Sequence, residues 1–142
     1  MLAIKPFTGV GNLLFADART EIRNKVNGNF EPVVKKFGAV GENYDYFPLA
    51  GFFVYYNQHG YVNAFEFFDS KPQFNEMDLL SMPYKQLVTL FFEFDNELQI
   101  EYNGFTSNKY GIGGGTNDDP DDDKAMPESI IVFRKGYYNI LR

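Results

Sequence analysis

The sequence predicts an α+β fold: a two-layer arrangement in which a mainly antiparallel, curved β-sheet is packed by two helices. Its 142 residues suit one hydrophobic core, so we treat 1–142 as a single domain. A hydrophobic fraction of 44% with 23% charged residues is ordinary for globular proteins. Two segments have helical periodicity, and the other apolar runs are short and rich in strand-forming residues.

The first elements are a short strand and a helix. The apolar run at 12–15 suits a buried strand. Asp17 is placed to cap a helix that runs to about Val26, where Asn27 and Gly28 end it. Between 30 and 46 the pattern is weak, with proline and glycine interruptions, and predicts a strand or a loop.

A hairpin is the strongest local signal. Two β-rich runs, 52–56 and 61–68, flank residues 57–60, whose Asn and Gly tolerate a tight loop. Large residues occupy both faces of this hairpin. We expect Phe53 and Tyr55 to share one face with Phe65 and Phe67. One face is then the core, and the other is covered by chain, by a partner or by ligand.

The second helix has the clearest periodicity. Ser81 is its expected N-cap and Pro83 lies in its first turn. Its apolar stripe is Tyr84, Leu87, Val88, Leu90, Phe91 and Phe92. Strands are expected at 98–102, 109–112 and 129–134, with 136–138 closing the chain. The glycine-rich run 111–116 predicts a flexible hinge, because no phosphate-binding Lys follows it.

The two halves of the chain, 1–71 and 72–142, have similar predicted content, which leaves an internal duplication of an αβ unit open. Their charges differ. The first half has seven basic and seven acidic residues, whereas the second has six and twelve, so the whole net charge of -6 lies in the second half. Such a surplus of carboxylates argues against a nucleic-acid binder.

The acidic run from 117 has some features of a calcium loop. Asn117, Asp119, Asp121 and Glu128 match positions one, three, five and twelve, but Asp122 stands where the turn requires Gly. A mobile, self-repelling acidic loop is the better interpretation, and calcium binding stays open. The chain has no cysteine, which excludes disulfides and thiolate sites, and we predict no cofactor and no metal site.

No catalytic residue is predicted. His59 is the only histidine and lies at the hairpin tip, where a solvated turn residue is expected. The carboxylates Glu93, Asp95, Glu97 and Glu101 are more simply a solvated edge than an acid and base pair. The longest uncharged apolar run, 47–56, is too short to span a bilayer, and no signal peptide is recognisable, so we expect a cytoplasmic protein.

Tyrosines and aspartates are the expected partner-binding residues. Tyrosine combines apolar area with a hydroxyl and is enriched at protein interfaces. The residues predicted to contact a partner are the tyrosines around the hairpin, Tyr44, Tyr46, Tyr55, Tyr56 and Tyr61, and the aspartates of the acidic loop, Asp118, Asp119, Asp121, Asp122 and Asp123.

Three segments carry a resemblance: GVGNLLF at 9–15 before a helix, the hairpin at 51–68, and ESIIVFRKGYY at 128–138. With this layout the chain resembles small acidic bacterial immunity-type proteins, which neutralise toxins. Its helix-plus-sheet halves are similar to the tandem units of beta-lactamase inhibitor proteins. The resemblance implies an α+β fold and a protein partner with a basic surface, such as a toxin.

We therefore expect a non-enzymatic binding protein that blocks a basic toxin or enzyme through an acidic, aromatic-rich surface. One alternative is a small-ligand or hydrolytic protein, with a closed aromatic pocket that contains two carboxylates or His59. Another is a self-associating protein that buries the two-sided hairpin in a homodimer.

Overall fold

The structure is a computed structural model that describes residues 1–34 and 43–137. Its helices are α1 (Arg19–Val26) and α2 (Tyr84–Phe94). The strands of these residues are β1 (Leu2–Lys5), β2 (Gly9–Val10), β3 (Leu13–Leu14), β4 (Glu31–Val33), β5 (Asn43–Phe47), β6 (Phe52–Tyr56), β7 (Val62–Phe67), β8 (Pro72–Phe74), β9 (Met77–Asp78), β10 (Gln99–Ile100), β11 (Gly104–Ser107), β12 (Ile112–Gly115) and β13 (Ser129–Phe133).

The large sheet has the strand order β10-β11-β12-β13-β7-β6-β5-β4, and all its neighbouring strands are antiparallel. The predicted hairpin is confirmed as β6 and β7 near the middle of this sheet. At its tip the Asn57 side chain accepts hydrogen bonds from the backbone N–H groups of His59 and Tyr61, and Gly60 takes a positive φ of 84°.

The register of this hairpin corrects the expected grouping of its side chains. Phe52 lies opposite Phe67 and Val54 opposite Phe65, so Phe65 and Phe67 share the core face with Phe52 rather than the face of Phe53. Since side chains alternate strictly along each strand, a wrong pairing register moves a whole set to the other side.

A smaller sheet combines the first strands of the chain with two strands from its middle. Its order is β3-β2-β1-β8-β9, and β1 runs parallel to β8 with Leu2 opposite Pro72. Its strands are only two to four residues long, too short for a clear period-two pattern. The α+β class is confirmed, with two helices and two mostly antiparallel sheets in the described residues.

Helix α1 ends at Val26 as predicted, with Asn27 in the left-handed conformation. Asp17, however, is not its cap. The residue at the N-cap is Ala18, whose backbone N–H donates to Glu21 Oε1 at 3.1 Å. Asp17 Oδ2 instead accepts from the Leu14 backbone N–H at 2.9 Å and from Lys25 Nζ at 2.7 Å. Asp17 therefore ties the preceding turn to the end of α1.

Helix α2 begins two residues later than predicted, because Pro83 rather than Ser81 is its N-cap. The Ser81 hydroxyl donates to Asp78 Oδ2 at 2.6 Å and so belongs to the preceding turn. Tyr84, Leu87 and Phe91 of the predicted stripe are buried. Phe92, predicted to lie in the same stripe, is 53% exposed.

The glycine-rich run is a strand and not a hinge. Residues 112–115 form β12, which lies between β11 and β13. The missing side chain at Gly114 makes room for Phe105, since a Cβ there would lie 2.8 Å from the Phe105 ring. The strand expected at 109–112 is observed at 112–115, three residues further towards the C-terminus. The strand β11, at 104–107, was not predicted.

Both helices lie on one face of the large sheet. From α1, Arg23 pairs with Asp45 of β5, and from α2 the Phe91 ring lies 5.2 Å from that of Phe105. The small sheet contributes Val10 and Leu13 to the same core. We call the opposite face of the large sheet the outer face. No helix in 1–34 or 43–137 has the length and apolar character that crossing a bilayer requires.

Candidate functional site

The outer face carries a patch of half-buried aromatic side chains. Cross-strand pairing puts Tyr44 opposite Tyr55 and Tyr46 opposite Phe53, so these four rings share one side of β5 and β6. Phe68, just beyond β7, joins them. We call these residues the aromatic patch: Tyr44, Tyr46, Phe53, Tyr55 and Phe68.

Phe53 lies at the centre of the aromatic patch. Its ring is stacked on Tyr46 at 5.1 Å, and its distance to the Phe68 ring is also 5.1 Å. Tyr44 and Tyr55 approach it to 5.9 and 6.3 Å. Rings that support one another in this way are held in place before any partner arrives, which lowers the entropy cost of binding.

Glu66 brings a negative charge into this aromatic surface. It lies directly opposite Phe53 and is half-buried. The Tyr55 hydroxyl donates to its Oε1 at 2.6 Å, and the Ser129 hydroxyl donates to its Oε2 at 3.0 Å. Both donors are neutral, and no ion pair within the described ranges involves Glu66. The described residues therefore orient the carboxylate without neutralising it.

An open groove of about 450 Å³ lies beside Glu66. We call it the Glu66 groove. The described residues that line it are Tyr46, Phe53, Glu66, Phe68, Glu128 and Ser129. They include two carboxylates and no basic side chain. This groove combines aromatic walls with negative charge, which suits a cationic group.

The structure brings three of the five predicted tyrosines together, namely Tyr44, Tyr46 and Tyr55. Tyr56 lies on the helix side of the sheet and is only 1% exposed, because the alternation along β6 turns it inward. Its hydroxyl donates to Asp45 Oδ2 at 2.8 Å, and burial together with this bond raises its pKa. Tyr56 is thus a core residue and offers no contact surface.

Tyr61 is 45% exposed but lies at the hairpin tip. The hairpin tip lies at one end of β7, and Phe67 lies at the other end. Phe67 pairs with Ile130, which follows Ser129, so the tip and the pair of Gly115 with Ser129 lie at opposite ends of the sheet. His59 is at the tip as well, exposed and next to Gln58. Neither Tyr61 nor His59 belongs to the aromatic patch.

The five aspartates of the acidic loop are exposed. Local bonds shape the loop: Asp119 accepts from the backbone N–H of Asp121 at 3.0 Å, and Asp122 from that of Lys124 at 2.9 Å. Asp123 makes a 3.4 Å ion pair with Lys85 of α2. No group of three metal-ligating side chains occurs in the part of the chain that the structure describes.

The acidic loop leaves the large sheet at the end where Tyr46, Phe53 and Phe68 of the aromatic patch lie, whereas Tyr44 and Tyr55 lie nearer the hairpin tip. The loop connects β12 to β13, on the helix side, where the backbone N–H of Tyr84 donates to the Ala125 carbonyl. Glu128, at the end of the same connection, lines the Glu66 groove. The aspartates therefore lie on the helix side of this end of the sheet, and the patch lies on the outer face.

A second depression, of about 220 Å³, lies between α2 and the acidic loop. Tyr84, Ile100, Tyr102 and two carboxylates, Glu101 and Asp121, line it. Like the Glu66 groove it is open to solvent, unlike the closed pocket that the small-ligand alternative expects. Asp95 is buried but accepts from the Ser107 hydroxyl at 2.8 Å, so it has a structural role at the end of α2.

Sequence reasoning missed Glu66 and Ser129, and it considered Glu128 only as a position of the calcium-loop match. A signal for Glu66 was present, because a lone charge within the run Phe65 to Phe68 requires a half-open environment. The hydroxyl of Ser129 is 63 residues away along the chain, so only the pairing of β7 with β13 reveals its bond to Glu66. No protein-family model, curated protein or solved structure matches this chain.

Proposed function

We propose that this chain is a non-enzymatic binding protein that captures a protein partner with a basic surface, as an immunity protein or inhibitor blocks a toxin or enzyme. The observation that carries the proposal is Glu66. It is a half-buried carboxylate within the aromatic patch, oriented by two neutral hydroxyls and opposed by no cation among the described residues that line its groove.

This arrangement suits binding better than it stabilises the fold. A partly desolvated carboxylate contributes little to the folding stability of the isolated chain, whereas a positive charge that approaches it forms a favourable interaction. The surrounding Tyr and Phe rings are the residue types that dominate binding energy at protein interfaces. The proposed contact surface is therefore the outer face around Phe53 and Glu66.

The acidic loop has a different role in this proposal. Its five aspartates are exposed and close to solvent, so they would contribute little energy to a finished interface. They would attract a basic partner over longer distances and raise the rate of encounter. The connection that carries them ends at Glu128, which lines the Glu66 groove, so their charge lies near one end of the proposed contact surface although the aspartates are on the helix side.

We also propose the two-layer arrangement and the internal duplication that the sequence predicts. Both helices lie on the same face of the large sheet, which supports an arrangement in two layers. Each half, 1–71 and 72–142, supplies one helix and strands of both sheets.

The test is affinity capture from the source cells with wild-type protein, followed by binding measurements on the purified partner. We expect a basic protein whose affinity falls as salt rises from about 50 to 500 mM. Phe53→Ser should weaken binding by at least about tenfold, as for an interface hot spot. Phe92→Ser is the matched control, since it removes a 53% exposed ring on α2.

Two results would contradict the proposal. One is a partner whose affinity responds neither to salt nor to Phe53→Ser. The other is a concentration-dependent homodimer, seen by light scattering, that Phe53→Ser dissociates; this would instead support the self-associating alternative. The melting temperature of each variant shows whether the fold is retained.

A further inference from the structure

We propose that the Glu66 groove binds one arginine side chain of the protein partner. This inference rests on the proposed function and adds the chemistry of the group that is recognised. It depends on three features: the orientation of the Glu66 carboxylate, the aromatic rings that line the groove and the space beside β12.

The Glu66 carboxylate can still accept a pair of hydrogen bonds. An ionised carboxylate has about four lone-pair sites. Tyr55 and Ser129 occupy one site on each oxygen, at 2.6 and 3.0 Å. Within 1–34 and 43–137 this leaves one free site on each oxygen, which matches the two parallel N–H groups of a guanidinium. Because the two hydroxyls hold the carboxylate from both sides, its plane is fixed in advance.

The aromatic wall favours arginine over lysine. Phe53 and Tyr46 are stacked with an angle of 26° between their rings, and both line the groove. A guanidinium is planar and weakly hydrated, so it can stack on such a surface while its edge meets a carboxylate. A lysine ammonium is a strongly hydrated point charge that gains less from this geometry.

The groove has room for the side chain and a second carboxylate at its edge. Gly115 of β12 lies opposite Ser129, so no side chain from that position closes the groove. The exposed Glu128 can accept from the guanidinium N–H groups that Glu66 leaves free. The groove volume of about 450 Å³ far exceeds the roughly 30 Å³ of one water.

The test is an NMR titration of the full chain with N-acetyl-arginine methylamide. The matched probes are the lysine amide, the neutral citrulline amide and free L-arginine. We expect the amide signals of Phe53, Glu66 and Ser129 to shift with a dissociation constant in the millimolar range, as for one side chain. The lysine probe should bind about fivefold more weakly and the citrulline probe at least about tenfold more weakly.

Glu66→Gln should weaken the arginine probe by at least about tenfold while keeping an acceptor for the Tyr55 hydroxyl. Glu97→Gln is the matched control, because Glu97 is exposed beyond α2 and outside the groove. Unchanged melting temperatures show that both variants fold.

Several outcomes would overturn the inference: no shift in the groove up to about 50 mM probe, equal binding of citrulline, or equal binding of lysine. Tenfold tighter binding of free L-arginine than of its amide would indicate a small-molecule site instead. If the captured partner binds Glu66→Gln normally but not Phe53→Ser, this inference fails and the proposed function stands. If the arginine probe binds but no basic protein is captured, the proposed function fails, and the inference that the Glu66 groove binds an arginine side chain is retained.

Discussion

Arg23 on α1 and Asp45 on β5 form a two-point ion pair, in which Nε and Nη2 of the guanidinium each donate to a different carboxylate oxygen at 2.8 Å. Asp45 is only 1% exposed and also accepts from the Tyr56 hydroxyl. The hydrogen bond to Asp45 raises the pKa of Arg23. This network fixes α1 against the edge of the large sheet that carries β4, β5 and β6.

Arg23→Met should destabilise the protein by about 3 kcal/mol, because it leaves the Asp45 charge buried with only a neutral donor. The free energy of unfolding from urea titration measures this loss. Lys85→Met is the control, since its pair with Asp123 has side chains 57% and 89% exposed and should be worth almost nothing. Equal losses for the two variants would contradict the structural role of Asp45.

The stability of the protein should fall as the pH rises above about 10. Burial and the bond to Asp45 raise the folded-state pKa of Tyr56, and burial raises that of Tyr84. A raised pKa means that the folded state keeps these protons while the unfolded state loses them from about pH 10 upwards. The stabilisation is therefore complete below that pH and is lost above it. Below about pH 9 these two tyrosines do not make the free energy of unfolding depend on pH.

Tyr56→Phe should make this alkaline loss of stability shallower, because one of the two shifted groups is removed. At neutral pH the same variant should lose about 1 kcal/mol through the missing hydrogen bond to Asp45. The measurement is the unfolding midpoint at a series of pH values between 7 and about 11. An alkaline slope identical to that of the wild type would show that Tyr56 does not contribute to it.

Gly114→Ala should destabilise the protein by about 1 to 3 kcal/mol, since the new methyl group would overlap the Phe105 ring in a packed region. Gly28→Ala is the matched control. It has no heavy atom closer than 3.9 Å and no positive φ, so the substitution should be neutral or slightly stabilising. Thermal melting curves separate the two, and a neutral Gly114→Ala would mean that β11 and β12 are less tightly packed than described.

Replacing the five aspartates of the acidic loop by asparagine should slow association with the basic partner and leave its dissociation rate nearly unchanged. The effect on association should shrink as salt is added. Asparagine keeps the side-chain oxygen that accepts the local backbone bonds, so the loop retains its shape. Phe53→Ala should do the reverse and mainly speed dissociation. Surface plasmon resonance resolves both rates.

The sequence predicted well those elements whose pattern is long or sharply bounded. The hairpin of β6 and β7 has two strands of five and six residues around an Asn-to-Gly loop, and α2 has a broad apolar stripe. Two-residue strands such as β2 and β3 lack any detectable period and form through contacts with distant segments. Gly113 and Gly114 look like a hinge locally, yet neighbouring strands and the Phe105 ring order them.

The aromatic patch was predictable only in part. A concentration of tyrosines around the hairpin is visible in composition, but the side that each one occupies depends on strand register. Tyr56 differs from Tyr55 by one position and is buried on the opposite side. The role of Glu66 could not be predicted, since its two hydroxyl donors come from different strands.

The pairing of β1 with β8 and of β7 with β13 has a consequence for how the chain acquires its structure during synthesis. Residues 1–71 alone would leave β1 and β7 each with an unmatched backbone edge, a template for aggregation. In the large sheet, β7 cannot pair with its second neighbour, β13, until residues 129–133 have left the ribosome. A nascent or truncated chain should therefore depend on chaperones, and splitting the protein near residue 71 should yield two insoluble fragments.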